Sequence, residues 1–410
     1  MYNDLMISVD ELWLKGRNRP LYFKALIKHV NQVLKLNHRQ TFSMKNDSQR
    51  LTFSSDVGFS DETIFALTKI PGISLISPVR FVKRTENDIE TLDNLSKALI
   101  DECHFFQQYS EPFRVVVKRN DKRFTISSMD VERRLGKDLL DYYPNARAHL
   151  KDFRLLIDVR VLPEKISICT RKYPGIGGLP WGSSGTAVTM LSGGFDSPVA
   201  SFMMAKRGLR QSFVFFHAYP FVGDEVVDKI KKLTQVLATY QRQSHLYIIP
   251  FGDIQNAIAK SCHEEYRTIL FRKYMILATN LLCDRIGAQA IITGDSLGQV
   301  SSQTLTNLSL IDKTSDKIIL RPLVGFNKLE VIRLAEKIGT HDISVIPHDD
   351  ACALFAPENP VTNANIAYWR EHEAANDLTE LLNKAIDTAG VYSVNALGEL
   401  YKKDYFSFDS

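Results

Sequence analysis

The residues best placed to do chemistry are Ser192, Gly193, Gly194, Phe195, Asp196 and Ser197. They follow the apolar run Ala187 to Leu191 and precede Pro198, which suits the first turn of a helix. A strand, a glycine-rich loop and a helix in that order make an anion site. Two glycines let backbone N–H groups close around phosphate oxygens, the hydroxyls of Ser192 and Ser197 add donors, and the helix points its positive N-terminus at the same place. Asp196 would repel a phosphate unless it held a cation, so Mg²⁺ between its carboxylate and a polyphosphate is the chemistry expected there. No Gly-Lys-Ser/Thr is present, which excludes a Walker-type loop, and no GxGxxG argues for a dinucleotide fingerprint.

Other polar groups fall where strands should end. His217 closes one apolar run, Thr293-Gly294-Asp295-Ser296-Leu297-Gly298-Gln299 closes another, and Ser301 to Thr304 extends it. Arg321-Pro322-Leu323 leads to a helix with Asn327, Lys328 and Glu330 near its start; a lysine in a first turn opposes the helix dipole and suggests an anionic partner. The elements that must position these groups are apolar strands at 187–191, 212–216, 246–249 and 289–293, alternating with helical patterns at 198–207, 224–240, 265–284 and 327–338. Such alternation specifies a doubly wound parallel sheet, whose ligands bind at the carboxyl ends of the strands.

Upstream, the patterning predicts two α+β units, residues 1–72 and 73–173. The second contains a strand at 113–117, a helix entered through Ser127 and Asp130, and a hairpin from Leu155 to Thr170. The run from Tyr173 to Gly185 is the strongest breaker cluster in the chain and separates these units from the catalytic body.

The 410 residues are 44% hydrophobic and 24% charged, which excludes disordered, collagenous and coiled-coil classes. Residues 113–180 carry fifteen basic and eight acidic side chains, the whole of the net positive charge, as a polyanion footprint or a solvated face would. Arg114, Lys118, Arg119, Lys122, Arg123, Arg133, Arg134 and Lys137 spread over a strand, a loop and a helix, a cluster able to span several RNA phosphates. With no secretory leader and no apolar run of membrane-spanning length, the chain reads as cytoplasmic. The five cysteines, 103, 169, 262, 283 and 352, include no CxxC pair, which argues against a zinc or iron–sulfur site and against a disulfide framework. Cys103 and Cys283 sit in helical patterns and Cys169 in the hairpin, as packed small hydrophobes, whereas Cys352 lies in a polar stretch flanked by His348 and Pro357.

Taken together, SGGFDS at 192–197, TGDSLGQVSSQT at 293–304, Arg-Pro-Leu at 321–323, Lys328, Arg272, the Gly177–Gly185 linker and Glu11 with Leu14-Lys15-Gly16 closely resemble the tRNA 4-thiouridine synthetase (ThiI) family of sulfurtransferases. The resemblance spans nearly the whole chain. It implies a ferredoxin-like N-terminal domain (1–72), a THUMP RNA-binding domain (73–173), a Gly-rich linker (174–186) and a pyrophosphatase-loop ATPase domain (187–410). It also implies ATP binding by Leu191 to Ser197 with His217, Arg272, Gly294, Ser296, Gln303 and Arg321, catalysis by Asp196, Lys328 and Cys352, Mg²⁺ at Asp196, and RNA contacts extended by Lys15. The expected reaction adenylates uridine at position 8 of tRNA and replaces its 4-oxo group with sulfur. That sulfur is carried as a persulfide on Cys352 and supplied by a PLP-dependent cysteine desulfurase or a separate rhodanese-like carrier. The sequence does not identify a resolving thiol, for which Cys262 is the least hydrophobically placed candidate, and a homodimer is the assembly the resemblance implies. Longer relatives carry a rhodanese domain, to which the family's link with thiamine thiazole synthesis is tied; only 58 residues follow Cys352, and none is cysteine. Two other readings stay open: a different tRNA-modifying or amide-forming enzyme on the same loop, and a non-catalytic RNA-binding protein.

Overall fold

The computed structural model describes residues 2–38, 41–47, 50–108, 111–347 and 357–403. The chain divides into two compact units: residues 1–10, 34–69 and 73–177 form the first, and residues 11–33, 70–72 and 178–410 the second. The stretches 1–72 and 73–173, read as separate modules in the sequence, thus share one unit, and residues 11–33 pack with the nucleotide-binding body.

The first unit is built on one nine-stranded sheet. Its strands are β1 (Tyr2–Val9), β2 (Ser43–Asp47), β3 (Arg50–Phe59), β4 (Ile73–Lys83), β5 (Pro112–Arg119), β6 (Arg147–Ala148), β7 (Leu155–Val161), β8 (Lys165–Cys169) and β9 (Tyr173–Pro174). The order is β2-β3-β1-β4-β8-β7-β5-β6, with β9 on β4. β4 joins the two modules: it pairs antiparallel with β1 on one side and with β8 on the other. Period-two alternation is plain on β5, where Phe113, Val115 and Val117 are buried against a core containing Phe106, Phe124, Leu135 and Val159, so that Lys118 stands on the opposite, exposed face. The helix Ser128–Tyr142 starts where sequence reading placed it, with the Ser127 hydroxyl accepting from the Asp130 N–H.

The second unit carries a seven-stranded sheet, β10 (Thr186–Met190), β11 (Arg210–His217), β12 (Gln243–Pro250), β13 (Ala290–Ile292), β14 (Ile318–Leu320), β15 (Gly390–Asn395) and β16 (Leu400–Lys403), in the order β14-β13-β10-β11-β12-β15-β16. β14 through β12 run parallel, whereas β15 and β16 add an antiparallel edge. Parallel strands buried on both faces read as unbroken apolar runs, as β11 does with Phe213, Val214, Phe215 and Phe216. β10 has β11 on one side and β13 on the other, so the strand order reverses there, and a crevice opens beyond its carboxyl end.

Candidate active site

The phosphate loop lies at that reversal point. β10 ends at Met190, residues Leu191 to Phe195 turn, and the helix Asp196–Lys206 begins without a side-chain cap, leaving its first N–H groups available to an anion. The Ser197 hydroxyl fixes the turn: it accepts from the Ser192 N–H at 2.8 Å and lies 3.0 Å from the Ser192 hydroxyl. Gly294, just past β13, is required by contact, because a Cβ there would sit 2.6 Å from the Ser197 nitrogen. Two strand-end loops thereby close on one helix N-terminus.

Between them is a cavity of about 390 Å³. Leu191, Ser192, Gly193, Gly194, Asp196, Ser197, His217, Arg272, Gly294 and Gln303, all expected at a nucleotide site, line it. Met190, Phe215, Val222, Val226 and Met275 give it an apolar side of the kind a purine requires. Three further expected residues stand elsewhere. The Ser296 hydroxyl donates to the Phe326 carbonyl at 2.9 Å and so holds the loop. Phe195 packs at 5.6 Å from the His341 ring, with the Lys328 ammonium 5.2 Å above it. Arg321 is drawn behind the cavity by Asp295 at 3.1 Å and Asp312 at 2.7 Å. His217, at the end of β11, has Nε2 3.2 Å from the carbonyls of Val222 and Gly223, so its role in this geometry is to hold the loop that follows.

Asp196 and Lys328, 132 residues apart in sequence, meet: the ammonium donates to both carboxylate oxygens at 3.1 and 3.2 Å, and Gln299 Nε2 donates to one of them at 3.1 Å. Lys328 is positioned by a capping box at the start of helix Lys328–Ile338, in which Asn327 and Glu330 exchange hydrogen bonds.

Asp295 is the residue sequence reasoning missed. Its buried carboxylate accepts from Arg272, from Arg321 Nε, from the Thr293 hydroxyl at 2.8 Å and from Gln303 Nε2 at 3.4 Å. Burial opposes ionisation here, but the charge and hydrogen bond of Arg272, together with Thr293 and Arg321, outweigh it and hold the carboxyl below the usual range. Asp295 therefore orients two guanidinium groups expected at the phosphates. The available signal was an acid three residues beyond a buried strand, with two arginines elsewhere in the same domain.

Cys352 lies outside the described residues. The described chain on either side of it is held by hydrogen bonds, upstream to the cavity lining itself. Upstream, the Ser344 hydroxyl donates to the Gly194 carbonyl at 3.1 Å, and buried Lys229 donates to the carbonyls of Ser344 and Ile346 at 2.9 and 2.7 Å. Downstream, Asn307 bridges Ser301, Val361 and Ala364. Of the described cysteines, Cys103, Cys169 and Cys283 are buried and Cys262 is half-buried; burial pushes the Cys262 thiol up to about 11 and Cys283 up to about 12. Among the described residues no cluster of His, Cys, Asp and Glu could hold a metal ion, and no helix is long and apolar enough to cross a membrane.

The basic cluster is less uniform than its sequence suggests. Arg119 donates to the carbonyls of Phe124 and Ile126, Arg123 chelates Asp121, and Arg134 binds Asp138 and Asp93. Arg133 faces Asp130 at 3.7 Å, and Arg114 caps the Leu150 carbonyl and lies over Phe153. Arg114 and Arg134 join segments distant in sequence, whereas Arg123 and Arg133 pair with near neighbours and stay largely exposed. Lys118, Lys122 and Lys137 are exposed, with no ion pair among the described residues, as are Arg147 on β6 and Lys151 just beyond it, which the sequence reading passed over. Lys15, in the second unit, has its ammonium 5.2 Å over the Tyr22 ring.

Three family models match the chain: a ferredoxin-like domain of ThiI over residues 4–77, a THUMP domain over 86–171, and the thiamine biosynthesis protein ThiI over 182–378. A probable tRNA sulfurtransferase of Agathobacter rectalis is 33% identical over 400 residues, covering 97% of this chain and all of that protein. One from Staphylococcus aureus is 35% identical over 391 residues, covering 94% and 93%. A crystal structure of a 4-thiouridine synthetase–RNA complex with bound ATP superposes with a TM-score of 0.85 at 29% identity, covering 96% of this chain and all of that one. With relatives matched from end to end and all three domain types in order, the chain belongs to the ThiI family of tRNA sulfurtransferases.

Proposed function

We propose that this protein is an ATP-dependent tRNA sulfurtransferase that converts uridine, at position 8 of tRNA, into 4-thiouridine. The observation that carries the reading is the meeting of Asp196 and Lys328 at the open N-terminus of the phosphate-loop helix, beside a purine-sized cavity. A uridine 4-oxo group is a poor leaving group. Attack of that oxygen on the α-phosphate of ATP expels pyrophosphate and turns it into an adenylate, from which AMP departs when sulfur adds to C4.

In this account the N–H groups of the loop, with Ser192 and Ser197, grip the β,γ-phosphates. Arg272 and Lys328 stabilise charge developing at the α-phosphate, and Asp295 keeps Arg272 and Arg321 in place. Asp196 is the carboxylate that would hold Mg²⁺, which would supply charge neutralisation at the polyphosphate when bound; one cation, Lys328, and one amide, Gln299, lie on it. Sulfur arrives as a persulfide on Cys352, charged by a cysteine desulfurase or a rhodanese-like carrier. The hydrogen bond from Ser344 to Gly194, a residue of the cavity lining, supports that assignment, and the half-buried Cys262 is the described thiol we assign to resolve the cysteine afterwards. The exposed lysines 118, 122 and 137 hold tRNA phosphates, in a cytoplasmic enzyme that acts as a dimer.

Pyrophosphate release in the presence of tRNA and ATP tests the adenylation step. Asp196→Ala and Lys328→Met should each lose on the order of 10²-fold or more in rate while folding normally. Wild-type rates in either variant would remove these residues from the reaction.

A further inference from the structure

The short helix His341–Val345 touches the phosphate loop at two successive residues. The Ser344 hydroxyl donates to the Gly194 carbonyl at 3.1 Å, and the His341 ring packs 5.6 Å from that of Phe195. A serine inside a helix commonly bonds back to a carbonyl of its own preceding turn. Ser344, buried on the loop side, gives its proton to the loop instead. The Gly194 carbonyl and the Phe195 N–H belong to one planar trans peptide unit, in which the two groups point in opposite directions. With its carbonyl held by Ser344, the unit directs its N–H away from that helix, and the N–H meets no acceptor among the described residues. Gly194 cannot fix this plane by itself, because it lacks the side chain that restrains other residues. A rotated plane would turn the negative end of the carbonyl toward an incoming phosphate.

The helix that presents Ser344 is five residues long, too short to be stable alone. Its end is held from the core. Lys229, 3% exposed on the helix Glu225–Ala238, donates to the carbonyls of Ser344 and Ile346 at 2.9 and 2.7 Å, a cation serving the last carbonyls of a helix. Val226, Ile230, Leu233 and Leu237 anchor that longer helix against Phe213 and Phe215 of β11, and Ile343 packs on the same cluster. A buried lysine is thus connected, through one hydroxyl, to a peptide of the phosphate loop.

We propose that Ser344 and Lys229 are positioning residues for the triphosphate. Ser344 sets the Gly194–Phe195 peptide with its N–H toward the β,γ-phosphates, and Lys229 holds the helix end that carries Ser344. The inference rests on the reading that the loop grips those phosphates and adds the side chains that aim one of its donors.

Binding of three ligands to the full-length protein with Mg²⁺ present tests it: ATP, inorganic pyrophosphate, and adenosine, which brings nothing to the loop. Ser344→Ala should bind ATP and pyrophosphate about 10-fold more weakly than wild type, since one oriented donor to a charged group is lost, and should bind adenosine equally well. Ser344→Thr, which keeps the hydroxyl, should recover most of the loss. Lys229→Met should weaken ATP binding by a similar factor, and the double variant should lose no more than the weaker-binding single, because both side chains act on one peptide. An ATP affinity within about twofold of wild type in Ser344→Ala would overturn the proposal, as would a parallel loss of adenosine binding or additive losses in the double variant. The Ser344→Ala arm decides even where Lys229→Met does not fold. Pyrophosphate that fails to compete with ATP on the wild-type protein would instead sink the phosphate-loop reading, and the proposal with it.

Discussion

Replacing Asp295 with asparagine preserves the shape of the side chain and removes the charge that two arginines share. The carboxylate is 4% exposed and accepts from Arg272, Arg321, Thr293 and Gln303. An amide offers one carbonyl oxygen and turns an NH₂ group toward donors, leaving two guanidinium charges under-compensated. Removing one partner of a buried pair costs about 3–5 kcal/mol. The lower end applies here, because Arg321 keeps Asp312 at 2.7 Å and Arg272 keeps the Ser302 hydroxyl at 2.9 Å. At roughly 2–4 °C per kcal/mol for a domain of this size, melting should fall by about 6–12 °C. Adenylation should fall on the order of 10²-fold, since the arginines lose their aim at the phosphates. The Asp295 carboxyl titrates below its unfolded value of about 3.9, so its contribution is complete above that pH and is lost only as pH falls through the lower folded value. The deficit of the variant should therefore be constant between about pH 6 and 8. Differential scanning calorimetry and pyrophosphate release together make the assay. A melting temperature within about 1 °C of wild type, with unaltered pyrophosphate release, would refute the clamp.

Charge reversal at Lys118, Lys122 and Lys137 together should weaken tRNA binding and reduce its salt dependence by up to about three ion releases, leaving ATP binding intact; an unchanged salt slope in filter binding would move the RNA surface elsewhere. Reversal at Arg119 or Arg134, by contrast, should mainly lower stability, because their donors already serve the first unit's own carbonyls and carboxylates. Cys352→Ser should still release pyrophosphate but form no 4-thiouridine and gain no sulfur by intact mass after incubation with desulfurase and cysteine, since a hydroxyl cannot hold sulfane sulfur. Thiolation by that variant at the normal rate, with sulfide excluded, would end the role. His29 is fully buried, and burial, aided by the charge of Arg242, lowers its pKa to about 3. The unfolded chain therefore takes up a proton that the native one refuses between about pH 6.5 and 3, and stability should drop by about 1.4 kcal/mol per pH unit across that window. His29→Leu should flatten this slope in urea titrations, and an identical acid limb in the variant would contradict the assignment.

The phosphate loop was legible because its chemistry is local: a strand, two glycines, two serines and a helix start occupy consecutive positions. Four of the five parallel strands were equally plain from their unbroken apolar runs, and only the three-residue β14 was not read. Asp295 was hidden because its meaning depends on Arg272 and Arg321, 23 and 26 residues away in sequence, which only the closing of β13 against β10 and β14 brings to one point. The basic cluster was over-read for the same reason. Charge counts cannot tell Arg123, which chelates an aspartate two residues before it, from Lys122, which does not. β15 and the edge strand β16 escaped notice because they mix polar residues such as Ser393, Asn395, Lys402 and Lys403 with their apolar ones. Residues 11–33 read as part of the N-terminal module, but contacts such as Glu11 with Arg207 at 2.6 Å and Gln32 with the Arg242 carbonyl at 3.2 Å attach them to the second unit.

The central claim is that this chain thiolates uridine at the expense of ATP, and nucleoside mass spectrometry tests it most directly. Unmodified tRNA transcript is incubated with the protein, ATP, Mg²⁺, a cysteine desulfurase and cysteine, then digested and analysed alongside the nucleotides released. The account predicts 4-thiouridine at position 8, AMP and pyrophosphate in equal amounts, and none of the three when ATP is omitted or Asp196 is replaced by alanine. Unmodified uridine after complete incubation, or 4-thiouridine formed without ATP, would contradict it.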